Sequence, residues 1–197
     1  MNTIFQFFNI SLIYGVGYLF VRALSFLLLP LYTNLLSIED AGIVFIIYTA
    51  LAFLNTIYNH GMDSSLLKFF DEENKEKIIT TSIVYSLFFG LIFSVITIIL
   101  NNFFNDASFL YWAVNRQYLV FFFCSILFCD MLSSRIMNVL RLIERPYYFL
   151  FVSFTSVLVS FVCNFYFIKF LDAGPDGVVV SLFIASLVQL FFLSPII

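Results

Sequence analysis

The sequence predicts an all-α integral membrane protein, folded as a bundle of six transmembrane helices. Three observations lead there. Of 197 residues, 62% are hydrophobic and only 11% charged, with 29 Phe among them. An ordinary soluble domain carries about 25% charged residues, so this chain cannot clothe a globule in polar groups. A soluble globular enzyme is excluded, and the solvent is a bilayer. The mean hydropathy is +1.05, and the apolar residues come in runs near the roughly 20 residues that span a hydrocarbon core as helix. Those runs are about twice the length a tilted transmembrane strand needs. Between them the polar breaks are short.

The first run covers residues 7–36 and closes on Thr33-Asn34-Leu35-Leu36-Ser37-Ile38-Glu39-Asp40. The second covers 42–62 and is followed by the most hydrophilic stretch of the chain, Asp71-Glu72-Glu73-Asn74-Lys75-Glu76-Lys77, read as a solvated turn. The third covers 78–100 and ends at Asn101-Asn102, with a loop reaching Arg116. The fourth covers 117–140, and Arg141 to Pro146 forms the next break. The fifth covers 147–170, Asp172 to Gly177 is a Gly/Pro turn, and the sixth covers 178–197.

Orientation follows from Lys and Arg in the short loops. Lys68, Lys75, Lys77, Arg141 and Arg145 follow the second and fourth runs, whereas the other side has Arg116, with Lys169 at a span end. That asymmetry places both termini in the cytoplasm. The N-terminus lacks a basic n-region and a small-residue cleavage site, so no cleavable signal peptide is expected. A net charge of −3 offers no basic footprint, so no nucleic acid is expected as a partner. The bilayer is the first partner.

At about 100° per residue, Ser11, Tyr14, Gly15, Tyr18, Arg22, Ser25 and Tyr32 share one side of the first span. Ile13, Phe20, Leu24, Leu27 and Leu31 take the other, as in a helix with one lipid face and one protein or water face. Tyr48, Ala52, Asn55, Thr56, Asn59 and Asp63 align on the second span. Asp130, Ser134, Asn138 and Arg141 align on the fourth, with Arg135 turned well away from them. The other spans carry small residues every three or four positions: Ser82, Ser86, Gly90 and Ser94; Ser153, Ser156, Ser160 and Cys163; Gly177, Ser181, Ala185 and Gln189. Such stripes let helices approach closely in lipid, and packing is their expected role.

Arg22 sits near mid-span, too far from either end to snorkel to the headgroups. A charge there costs on the order of 3 kcal/mol, so it must face a cavity or a partner. The two readings are an anion-binding cation in a translocation path and a structural ion pair with mid-span Asp130. The candidate cavity residues are therefore Arg22, Tyr18, Ser25, Asn55, Asn59 and Asp130. His60, the one histidine, has no clustered carboxylates and is read as an interfacial side chain. Asp63, at the same end, suits a helix-end contact. Cys124, Cys129 and Cys163 lie in apolar runs and behave as small hydrophobes.

Signatures of catalysis are absent from the sequence. Gly15-Val16-Gly17 lacks the third glycine and strand context of a dinucleotide loop. There is no G-x-S-x-G, H-E-x-x-H or phosphate loop. The carboxylates do not cluster to hold Mg²⁺. No catalytic residue, metal site or cofactor is expected.

Three stretches carry a family resemblance: Leu28-Leu29-Pro30-Leu31-Tyr32-Thr33-Asn34-Leu35-Leu36-Ser37-Ile38-Glu39-Asp40-Ala41-Gly42, Gly61-Met62-Asp63-Ser64-Ser65-Leu66-Leu67-Lys68-Phe69-Phe70, and Leu140-Arg141-Leu142-Ile143-Glu144-Arg145-Pro146-Tyr147. In order and placement they resemble the polysaccharide-exporter, O-antigen type branch of the multidrug, oligosaccharidyl-lipid and polysaccharide flippase superfamily, over essentially the whole chain. The resemblance implies an inner-membrane flippase for cell-surface polysaccharide such as lipopolysaccharide, moving undecaprenyl-diphosphate-linked oligosaccharide between leaflets. It implies two bundles of about six helices around a cleft. The chain stops at Ile197 inside an apolar run, so it reads as the N-terminal lobe, with a C-terminal lobe as the missing partner. Arg22 is the position that the resemblance assigns to the diphosphate. The competing readings are a cation-coupled small-molecule exporter of the same superfamily, with Asp130 or Asp63 titrating, and a non-transporting membrane scaffold.

Overall fold

The computed structural model describes residues 2–70, 74–103 and 117–196. Side chains are described for 12–70, 74–99 and 118–195. The described residues are helical throughout, and six stretches are long and apolar enough to cross a membrane. Asp71 to Glu73, Arg116, and most of the loop from Asn101 lie outside the described residues, as does the side chain of Ser11.

The first span is two helices, α1 (Asn2–Phe26) and α2 (Leu28–Leu35). Pro30 explains the break: it donates no hydrogen bond to the carbonyl of Phe26, and its ring crowds that carbonyl. The break shifts the register of α2 relative to α1. Leu28, Leu31 and Tyr32 are buried against Val44, Ile168 and Val178, so Leu31 faces protein and not lipid as its place on a continuous helix suggested. Along α1, Ile13, Tyr14, Gly17, Val21 and Leu24 are the more buried positions, close to the three-and-four spacing of a helix seam, so Ile13 and Leu24 are half-buried and not on an open lipid face. This seam packs on the fifth span, with Tyr14 edge-on to Phe149.

Helix α3 (Ile38–Asn59) starts earlier than Gly42 because Ser37 caps it. The Ser37 hydroxyl accepts from the Asp40 amide at 3.1 Å, and Glu39 and Asp40 complement the positive helix start. It ends at His60 and Gly61, both left-handed with φ of 32° and 77°. Gly61 takes that conformation without steric penalty. The chain then turns into the short α4 (Met62–Phe69).

Helix α5 (Lys75–Phe103) comes next, then α6 (Gln117–Leu142), α7 (Pro146–Lys169) and α8 (Gly174–Leu193). Pro146 and Pro175 lie in the first turn of α7 and α8, where no intrahelical donor is needed. Residues Gly174 to Gly177, expected in a turn, therefore belong to α8.

Helix α6 is the axis of the bundle. In its apolar stretch 67% of the residues are buried, against 6% in the first span. One core cluster joins it to α3 and α8 through Ile47, Leu51, Leu127 and Val179. Another joins it to α7 and α8 through Met137, Leu140, Val152 and Leu193. Ser82, Ser86, Gly90, Ser160, Ser181 and Ala185 are all buried, as close helix packing in lipid requires. Val84, Phe88, Leu91, Val95 and Ile99 stay exposed along the opposite face of α5. Cys124 and Cys129 are buried and Cys163 half-buried, all as free thiols.

Gly90 marks the tightest part of the α5–α6 seam. A Cβ there would lie 2.5 Å from Met131 Cε and 2.9 Å from the Phe128 ring. Gly90→Leu is expected to lose about 1–3 kcal/mol through overpacking, whereas Val84→Leu on the exposed face should be neutral. Thermal unfolding of the purified protein in detergent, followed by size-exclusion chromatography, checks both.

Candidate functional site

Among the described residues, two clusters of ionic and polar side chains flank α6, with Asp63 and Ser134 common to both. On one side, Arg135 is 1% exposed and every nitrogen type of its guanidinium donates. Nε donates to Ser86 Oγ at 3.1 Å on α5, and Nη2 to the Asn59 carbonyl at 3.1 Å, at the end of α3. Nη1 pairs with Asp63 on α4. The Ser134 hydroxyl also donates to Asp63 Oδ2, at 3.1 Å. One side chain thus ties four helices together at the end where α3 finishes and α5 begins. Asp63, expected to make a helix-end contact, lies in the first turn of α4 and pairs there with Arg135 of α6.

On the other side lie two cavities that share α1, α6, α7 and α8 as borders, one closed further by α4 and the other by α2 and α3. The first, about 500 Å³, is lined by Tyr18, Asp63, Ser134, Asn138, Arg141, Ser153 and Gln189 among others. Asp130, Ser134, Asn138 and Arg141, which align in the sequence, all face it. Ser133 also lines it, and its buried hydroxyl has no partner. The Arg141 guanidinium lies 4.8 Å from the centroid of the Phe149 ring and donates to Asn138 Oδ1 at 3.5 Å. Its fork keeps further donors for an anion.

The second cavity, about 560 Å³, is more apolar, with Phe26, Leu29, Phe45 and Leu182 beside Ser25, Tyr32 and Tyr48. The two tyrosine hydroxyls hydrogen-bond each other at 2.8 Å. Asp130 and Gln189 line both cavities. Ser186 donates to Asp130 Oδ1 at 2.6 Å, and Ser156 donates to Gln189 Oε1 at 3.2 Å. A polar layer from α6, α7 and α8 therefore separates the chambers. Ser156 and Gln189, which sit on stripes expected only to pack, help to form it.

The sequence candidates distribute unevenly over this geometry. Tyr18 lines the polar cavity, Ser25 the apolar one, and Asp130 both. Arg22 is exposed and lines neither; its Nη1 donates to the Tyr18 hydroxyl at 3.0 Å. The structural alternative of an Arg22–Asp130 pair is not formed, since the two groups hold Tyr18 and Ser186 instead. Asn55 and Asn59 pair with each other at 2.7 Å, outside the residues lining the two cavities. His60 packs its ring near Tyr85, Phe89 and Phe93 and contacts the Tyr58 carbonyl through Nδ1 at 2.7 Å.

Arg135, Arg141, Ser153 and Gln189 were not among the candidates. A signal for Arg135 exists: Asp130 and Arg135 are five residues apart, about 140° around a helix. They cannot satisfy each other, so each needs a partner on another helix.

A family model described as polysaccharide biosynthesis protein matches residues 9–196. No curated protein and no solved structure matches the chain.

The Arg135–Asp63 pair tests stability, and the exposed Arg22 is its control. Arg135→Ala empties the space of a buried side chain and leaves the partly exposed Asp63 without its partner, and is expected to lose about 2–5 kcal/mol, whereas replacing Arg135 by Met together with Asp63 by Leu should recover most of that. Arg22→Gln, at an exposed site, should leave the amount of folded protein unchanged. Monodisperse yield after detergent extraction reads out all three.

Proposed function

Because the chain belongs to the polysaccharide biosynthesis protein family, we propose that it forms the N-terminal lobe of a two-lobed flippase. The flippase carries undecaprenyl-diphosphate-linked oligosaccharide, of O-antigen type, across the bacterial inner membrane for cell-surface polysaccharide synthesis. Both termini of the lobe lie in the cytoplasm, as the Lys and Arg distribution favours. The observation that carries this reading is the polar cavity of about 500 Å³ between membrane-spanning helices. Lipid gives no reason to keep Tyr18, Asn138, Ser153, Gln189 and Arg141 on one wall; a hydrophilic cargo does.

The chemistry of the wall matches a sugar diphosphate. Hydroxyl and amide groups donate to and accept from sugar hydroxyls, and Arg141 offers charge-assisted hydrogen bonds to phosphate. Cation–π attraction to the Phe149 ring, 4.8 Å away, helps to hold the guanidinium in place. Arg22 adjoins this wall through Tyr18 and supplies a second cation. The C-terminal lobe faces the cleft and covers Arg22, whose charge is otherwise left toward hydrocarbon.

A second reading rests on Asp130, which lines both chambers: a cation-coupled exporter of small molecules, with Asp130 as the coupling group. Flipping of lipid-linked sugar against efflux of a cationic dye separates the two.

In the complete two-lobed protein, Arg141→Ala and Arg22→Ala should each lower export by about tenfold to a hundredfold, the worth of about 1.5–3 kcal/mol in charged hydrogen bonds. Lys at either position should retain part of the activity. Leaflet translocation of a fluorescent lipid-linked oligosaccharide in proteoliposomes, normalised to protein abundance, is the measurement. Unchanged export in both alanine variants sinks the diphosphate assignment. The 197-residue chain alone should give no translocation.

A further inference from the structure

Between α4 and the first turns of α5 lies a groove of about 380 Å³ that belongs to neither cavity. Its walls are Met62, Leu66 and Phe69 from α4 and Ile78 from α5. Lys77 is the ionisable residue among those lining it. Glu76, one residue earlier, is turned about 100° away. The start of α5 adds its own positive pole at this place.

Deeper along the same helix, Ser82 also lines the groove. It is 5% exposed, and its hydroxyl has no hydrogen-bond partner. A buried hydroxyl without a partner is costly in an apolar setting, so the groove contains a polar demand that the protein does not meet. Five residues separate Lys77 from Ser82, about 7.5 Å of helix rise.

We propose that this groove binds a membrane phospholipid with an anionic headgroup. The order of chemistry along α5 is the order along a glycerophospholipid entering a leaflet. Lys77 and the helix start hold the phosphate. The Ser82 hydroxyl donates to an ester carbonyl about one and a half turns deeper. The acyl chain lies against Met62, Leu66 and Phe69. Because α4 also carries Asp63, the partner of Arg135, lipid in this groove bears directly on the helix that borders the polar cavity.

The test is native mass spectrometry of the full chain in detergent, titrated with phosphatidylglycerol and, separately, with phosphatidylcholine. The unaltered chain should retain one phosphatidylglycerol that survives dilution, and phosphatidylcholine should be retained about tenfold less. Lys77→Gln and Phe69→Ala, both at exposed side chains, should each reduce retention by about tenfold. Lys169→Gln, at the other end of the bundle, controls for net charge and should change nothing. Excess inorganic phosphate should not displace the lipid, since the chain contacts are then missing. Equal retention by the unaltered chain and both groove variants overturns the proposal. So does displacement by phosphate, or an equal loss in the Lys169 variant. Circular dichroism of each variant confirms that loss of lipid is not loss of fold.

Discussion

A guanidinium buried in a membrane protein must have its donors met by protein, because the hydrocarbon around the bundle offers no acceptor. Arg135 is that guanidinium, and its requirement organises one end of the molecule. Ser86 on α5, the Asn59 carbonyl ending α3 and Asp63 on α4 each answer one of its nitrogens. The carbonyl contact also explains the sharp corner at His60 and Gly61. Helix α3 has to stop where its last carbonyls can reach Arg135, and α4 has to start where Asp63 can. Left-handed geometry at two successive residues makes that change of direction in the least chain. With three helices held on one side of α6, its other side is free to carry a different chemistry.

That other side is where polar groups are not fully consumed by packing. Helix α1 lies on α7 along a narrow seam that includes Gly17 and Leu150, and its polar positions stay open. The wall of the polar cavity is built mainly by α6, and α1, α4, α7 and Gln189 of α8 complete it. The serines that permit close approach do two jobs. Ser181 donates to the Gly177 carbonyl and the Ser160 hydroxyl accepts from Asn164, each within its own helix, while Ser156 and Ser186 reach across to Gln189 and Asp130. A serine in a membrane helix has either option, since a hydroxyl satisfied within its own helix is compatible with lipid and one satisfied across helices fixes a contact.

The positions where local reading and structure part company have local causes that distance made invisible. Leu31 lies on the lipid side of an ideal helix, yet the Pro30 break rotates it into the core. Pro175 looks like part of a turn, yet it opens α8, because a proline at the first helical turn loses nothing. Asn55 and Asn59 share the polar side of α3 with Asp63, but a short amide pair closes them on each other and the chain turns before Asp63. In each case the event that departs from the simple pattern involves one or two residues, a proline or the left-handed pair His60 and Gly61.

The number of spans, their near-continuous helix and the burial of the cysteines follow from composition and run length alone, because a bilayer leaves a hydrophobic chain almost no other way to satisfy its backbone. The shared face of Asp130, Ser134, Asn138 and Arg141 was equally legible, since those residues ride one helix whose geometry is fixed. The partner of each charge was not. Arg135 meets Asp63 and Asp130 meets Ser186 across gaps of 72 and 56 residues, and Arg22 finds Tyr18 on its own helix in place of Asp130. Helical periodicity says which way a side chain points; only the packing of separate helices decides what it finds there.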